Sequence, residues 1–237
     1  MEKISFDAAY GKERITAYLF LPKSSSPPFH TLVYFPGSYA ISMRSSPDLL
    51  MQWVDFLPRT GRALVYPVYK GTFERGDELR TDLQAPTAFY RDHVFAWFKD
   101  LGRTIDYLET RKDLRADTLT YYGLSWGSTE APIMLSMESR IKAAVLVAGG
   151  FDPGKTLPEV DPINFVSHVK VPVLMLNGRY DHFYATETSQ KSMFRLLGTP
   201  AKDKRHVVFE AGHVPPNKLM MKEILDWLDR YQGTVQR

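Results

Sequence analysis

The sequence predicts an α/β fold: one mostly parallel, eight-stranded sheet with helices on both faces and a minimal cap. Three observations carry this expectation. Short apolar runs such as Thr31–Phe35, Ala63–Tyr66, Ala143–Ala148 and Val171–Leu176 read as strands buried on both faces. Between them lie stretches whose apolar residues recur every three or four positions, the signature of an amphipathic helix. The two kinds of segment alternate along the chain, as a parallel sheet with crossover helices requires.

Each element follows from a local pattern. Residues 2–7 and 13–21 alternate as strands around a turn at Gly11, a link too tight for a parallel crossover, so this pair is antiparallel. Pro22 to Pro28 is a surface loop. The strand 31–35 is broken by Pro36-Gly37-Ser38, and Leu49, Leu50, Trp53, Val54 and Leu57 predict a helix over 47–57. After the strand 63–66 comes a polar, irregular segment, 68–87. Val94, Trp97, Leu101, Ile105 and Leu108 then define a helix over 90–109. A β-rich run from Thr118 leads to Gly123 and is followed by a helix-like run, 130–137. The strand 143–148 precedes a proline-containing insert, 151–170, too short for a large helical cap. The strand 171–176, a helix 185–197 ended by Gly198, a strand 206–209 and an amphipathic helix 218–231 complete the chain. No internal repeat or second domain is visible, so a single domain over 1–237 is expected.

Composition narrows the function classes. The 237 residues are 44% hydrophobic, enough for a substantial core, and 24% charged with a net charge of +3. The basic residues are dispersed; Lys202-Asp203-Lys204-Arg205 reads as a solvated turn, and with no basic stripe no nucleic-acid partner is expected. No apolar run has the length of a membrane span, and Met1–Phe6 lacks the apolar core of a signal peptide. No membrane partner is therefore expected, and the cytoplasm is the default compartment. The absence of cysteine excludes disulfides and thiolate chemistry. No cluster has metal-ligand spacing, so neither metal nor cofactor is expected.

The chemistry concentrates in Gly123-Leu124-Ser125-Trp126-Gly127. A G-x-S-x-G between a strand and a helix matches a nucleophile elbow, a sharp turn that exposes the serine hydroxyl over the end of a sheet. Side chains at 123 and 127 would collide with the neighbouring strand and helix. Serine is a poor nucleophile without a base. His213, after the last strand, is the best placed of six histidines; His30, His168 and His206 read as ordinary surface residues, and His182 is the rival. The acid that orients the base is assigned to Asp181, after the strand 171–176, with Asp152 as its rival after the preceding strand. Two backbone N–H groups should hold the oxyanion: that of Trp126 and that of Ser38, with Tyr39 as alternative to the latter.

Ser125, Asp181 and His213, in that order and each after its own strand, resemble the α/β-hydrolase superfamily over nearly the whole chain. The chain looks most like dienelactone hydrolases, prolyl-oligopeptidase catalytic domains and acetyl-xylan-type esterases. Two departures matter: dienelactone hydrolases use a cysteine, which is absent, and Pro36 stands where many relatives carry histidine. The resemblance implies acyl transfer on a small-molecule ester through an acyl-enzyme, without a cofactor. Tyr39, Phe73, Trp126, Phe183 and Tyr184 are candidates for an aromatic pocket, and the segment 68–87 for an extra wall. A peptidase comes second because the sequence shows no acidic pair recognisable as an amine clamp. A non-catalytic module of the same fold is a further alternative.

Overall fold

The computed structural model describes residues 1–235. Eight strands form one sheet: β1 (Glu2–Asp7), β2 (Arg14–Phe20), β3 (Phe29–Phe35), β4 (Ala63–Pro67), β5 (Leu114–Leu124), β6 (Ala143–Val147), β7 (Val173–Gly178) and β8 (Lys204–Phe209). Their order is β1-β2-β4-β3-β5-β6-β7-β8. The β1–β2 and β2–β4 pairs are antiparallel and every other pair is parallel.

Alternation along the central strands divides the core in two. Val33, Phe35, Val65, Tyr121, Leu146 and Met175 point to one face, where they meet α3 (Ala88–Glu109). The same face is covered by α4 (Trp126–Thr129), α5 (Ala131–Met137) and α6 (Lys191–Leu196). Leu32, Tyr34, Leu64, Tyr122, Val145 and Leu174 point to the other, covered by α2 (Phe56–Arg59) and α7 (Asn217–Tyr231). Both faces of these strands are dry, hence their continuous apolar sequences. No helix among the described residues is long and apolar enough to cross a membrane.

This topology creates the crevice for the site. From β3 the chain first adds β4 on one side and then β5 on the other. The loops leaving the carboxyl ends of β3 and β5 therefore diverge, and such a switch point leaves an opening above the sheet.

Three local expectations differ from what forms. The helix over 47–57 is replaced by a 3₁₀ turn, Ser46–Asp48, and the short α2. Leu49 turns extended (φ −51°, ψ 123°), and α2 begins where Pro58, which has no N–H to donate, can occupy the first helical turn. Val54 and Leu57 are buried all the same, so the apolar spacing reported burial and not helix. The run after the elbow is two short helices, with Pro132 in the first turn of the second. The helix over 185–197 opens with a π turn, Thr186–Gln190, before α6.

The irregular segment after β4 is anchored by a buried carboxylate. Asp100 on α3 accepts from the Lys70 backbone N–H (2.8 Å) and from Arg75 Nη1 (2.6 Å), while Arg75 also donates to the Val68 carbonyl (2.8 Å). That anchoring leaves the later residues of the segment free to reach the carboxyl end of the sheet.

Candidate active site

The turn between β5 and α4 is strained at Ser125. Ser125 has φ 51° and ψ −109°, a conformation that L-residues rarely adopt and that surrounding contacts must hold. Its N–H donates to the Val147 carbonyl (2.8 Å), and the Ser128 hydroxyl donates to the Gly123 carbonyl (2.8 Å). A Cβ on Gly123 would lie 2.7 Å from the Gly127 carbonyl oxygen, and one on Gly127 would lie 2.3 Å from that of Phe35. Both glycines are thus needed for close approach: Gly123 to the elbow helix, Gly127 to β3.

Backbone bonds bring two further loops together. Gly178 ends β7, and a Cβ there would lie 1.7 Å from the Gly212 carbonyl oxygen. The Arg179 and Tyr180 N–H groups donate to Phe209 (2.8 Å) and Ala211 (3.0 Å). The loop carrying Asp181 is thereby laced to the loop carrying His213. The result is a continuous chain: Ser125 Oγ lies 2.8 Å from His213 Nε2, and His213 Nδ1 lies 2.9 Å from Asp181 Oδ2. The other Asp181 oxygen accepts from the N–H groups of Phe183 (2.9 Å) and Tyr184 (3.2 Å). The Asp181 side chain is fully buried, and His213 remains partly open to solvent.

Neither rival joins this line. Asp152 Oδ1 accepts from the Gly154 N–H (2.6 Å), an ordinary local turn. The His182 ring stacks on Phe183 (4.0 Å) and lies 6.4 Å from His213.

The loop after β3 passes against the elbow. The Pro36 carbonyl accepts from the Gly127 N–H (3.1 Å), and a Cβ on Gly37 would lie 3.5 Å from Ser125 Cβ. A backbone carbonyl holds the loop here, so a histidine side chain is not required at position 36 for that contact. The N–H groups of Trp126, Ser38 and Tyr39 have no acceptor among the described residues. Two of them open helices, Tyr39 at the start of α1 (Tyr39–Ser42) and Trp126 at the start of α4.

A cavity of about 560 Å³ opens over Ser125 and His213. Of the expected aromatic residues, Tyr39, Phe183 and Tyr184 line it. Phe73 and Trp126 do not: each is only 1% exposed. Phe73 packs in the core against Tyr66, and Trp126 packs edge-on against Phe35 (4.8 Å) and Trp97 (4.7 Å). The Tyr39 hydroxyl is tied beneath the wall by hydrogen bonds with Tyr34 (3.2 Å) and Tyr66 (3.0 Å).

The segment 68–87 does supply a wall, through Thr81, Asp82 and Leu83 and not through its aromatic residues. Asp82 is thus a cavity residue that sequence reasoning missed; it lies in a stretch with no periodicity to place it. With Asp152 it is one of two carboxylates in the cavity lining. Among the described residues no three His, Cys, Asp or Glu side chains are grouped as metal ligands.

No protein-family profile matches the chain, and no curated protein sequence matches it. Solved structures do. A cold-adapted esterase from an Arctic intertidal metagenomic library shares 18% identity at a TM-score of 0.69, covering 97% of this chain and 92% of that one. Est1E from Butyrivibrio proteoclasticus, solved with ferulic acid bound, shares 14% at 0.72, covering 98% and 100%. The acylaminoacyl peptidase of Pyrococcus horikoshii shares 13% at 0.71, covering all of this chain and 42% of that one. The fold of this chain is that of the α/β-hydrolases.

Proposed function

We propose that the protein is a serine carboxylic-ester hydrolase acting through an acyl-enzyme on small to medium acyl esters. The observation that carries this reading is the unbroken hydrogen-bonded line from Ser125 to His213 to Asp181, set beside backbone N–H groups without acceptors.

The geometry supports a definite order of events. With Nδ1–H donated to Asp181, His213 presents Nε2 as an acceptor for the Ser125 proton. Ser125 Oγ then attacks the ester carbonyl, and the bond to the alcohol oxygen breaks as His213 returns the proton to it. The oxyanion is received by the N–H of Trp126 and that of Ser38, each contributing about 3–4 kcal/mol if it behaves as donors do in comparable sites. Water, deprotonated by His213, then adds to the acyl carbon, and the bond to Ser125 Oγ breaks as His213 returns the proton to that oxygen, releasing the acid. The exposed Phe183 and the Tyr39 ring favour an apolar or aromatic acyl group. No metal or organic cofactor enters this scheme.

A peptidase is the second reading, favoured by the likeness to the acylaminoacyl peptidase and by the two carboxylates in the cavity lining. One assay decides. Wild type and Ser125→Ala are compared on p-nitrophenyl acetate and butyrate and on aminoacyl p-nitroanilides. Ester turnover in wild type, lost by several orders of magnitude in Ser125→Ala, is the expected result. Turnover that survives the substitution would exclude Ser125, and faster anilide cleavage would move the protein to the peptidases.

A further inference from the structure

The acid loop must reach across a strand to meet the nucleophile. Ser125 follows β5 and Asp181 follows β7, with β6 between them in the sheet. His213 nonetheless contacts both at once, 2.8 Å from one and 2.9 Å from the other. An imidazole ring is rigid. Both contacts form together only where the separation of Ser125 and Asp181 is already fixed.

Tyr184 bridges that separation by a second route. Its N–H donates to Asp181 Oδ1 (3.2 Å). Its hydroxyl is hydrogen-bonded to that of Thr129 (2.9 Å), which also reaches the Gly150 carbonyl beyond β6 (3.1 Å). Thr129 ends α4, and its N–H donates to the Ser125 carbonyl (3.0 Å). The path Ser125–Thr129–Tyr184–Asp181 thus closes a circuit with the path through His213. Tyr184 and Thr129 are 4% and 3% exposed, so water competes little for these bonds.

The Tyr184 backbone is held from the other side by Gln190. In the π turn Thr186–Gln190 the Gln190 N–H donates to the Ala185 carbonyl, five residues back (3.2 Å). The Gln190 side chain is fully buried, and its Nε2 donates to the carbonyls of Tyr184 (2.8 Å) and Gly178 (3.0 Å). One amide therefore clamps both ends of the loop 178–184 that carries Asp181. A buried tyrosine hydroxyl needs some partner. Here the partner stands one helical turn after the nucleophile, and the other two polar groups of the same tyrosine go to the acid and to the clamp of its loop.

We infer that Tyr184 is a positioning residue for acyl transfer: its hydroxyl, braced on Thr129, sets the separation of Ser125 and Asp181 at which His213 fits between them. The inference rests on the reading of Ser125 as nucleophile.

The test breaks the brace from either end. Tyr184→Phe keeps the ring and the N–H to Asp181, and Thr129→Val keeps the shape, so each removes one hydroxyl. With p-nitrophenyl butyrate, kcat should fall about tenfold to a hundredfold in each, as a small misplacement of catalytic groups costs, with KM nearly unchanged. Thr129→Ser, which restores the hydroxyl, should recover most of the loss. The double variant should be no worse than the poorer single variant by more than about twofold, because both changes remove one bond. On the residual turnover of Asp181→Asn, adding Tyr184→Phe should cost about twofold at most, since Tyr184 acts through that acid. Rates are compared well below each variant's Tm, and if one single variant fails to fold the other decides. A kcat close to wild type in the folded single variants, losses carried by KM, losses that multiply in the double variant, or a full loss repeated in Asp181→Asn would each overturn the inference and leave the esterase reading intact. Wild type without ester turnover would instead overturn the esterase reading itself.

Discussion

Asp181 and Asp152 both follow parallel strands, and their hydrogen bonds are what separate them. Asp181 offers one oxygen to His213 and the other to two backbone N–H groups, so its orientation is fixed from both sides. Asp152 lines the cavity, but one of its oxygens goes to its own loop, at the Gly154 N–H, and neither reaches His213. Asp181→Asn should present an amide N–H or a misplaced oxygen to His213 and favour the wrong tautomer. We expect kcat on p-nitrophenyl butyrate to fall by about four orders of magnitude, with a loss in Asp152→Asn smaller by orders of magnitude. The reverse ranking would reassign the acid. Ser125, Asp181 and His213 were legible because each follows a strand, and strand ends are where a parallel sheet collects reactive groups. Asp82 and Phe73 were not. Both lie in a segment without periodicity, where nothing local distinguishes a side chain directed at the cavity from one directed at the core.

The elbow is an element whose sequence and geometry constrain each other tightly. Gly127 touches the end of β3, and its N–H holds the Pro36 carbonyl, so one residue serves both the packing of the turn and the placement of the opposite loop. Gly127→Ala would place a methyl group 2.3 Å from a backbone oxygen that cannot rotate away. A loss of roughly 2–3 kcal/mol follows, seen as a fall in Tm of about 5–10 °C. Activity in the remaining folded protein should fall as well, because the loop after β3 must retreat. An unchanged Tm would show that the elbow relaxes more easily than its contacts imply. The predicted helix over 47–57 makes the contrasting case. Its apolar spacing was real and its residues are buried, yet Leu49 and Pro58 break the backbone pattern. Periodicity records which side chains meet the core, and a chain can meet the core without being helical.

Across the whole molecule, burial of ionisable groups couples stability to pH. Glu130 is pushed up to about 8 chiefly by burial, from the usual 4.5. The folded state therefore holds a proton that the unfolded chain releases, and stability falls as pH rises from about 4.5 to 8. The slope from this group is at most about 1.4 kcal/mol per pH unit. Glu130→Gln keeps the shape without the titration. Its Tm relative to wild type should rise steadily between pH 5 and pH 8 and then level off; a difference that does not vary with pH would show that Glu130 is ionised throughout. The sequence by itself determined the alternation of buried strands and helices, the antiparallel start, the elbow and the order of its partners, because each depends on local periodicity, on turn chemistry or on position after a strand. Only the tertiary structure decided which carboxylate meets His213, which backbone N–H groups stay free, which aromatic rings line the cavity and that Asp82 and Asp152 share it. These depend on how distant loops converge above one end of the sheet, and no local pattern in a single chain encodes that convergence.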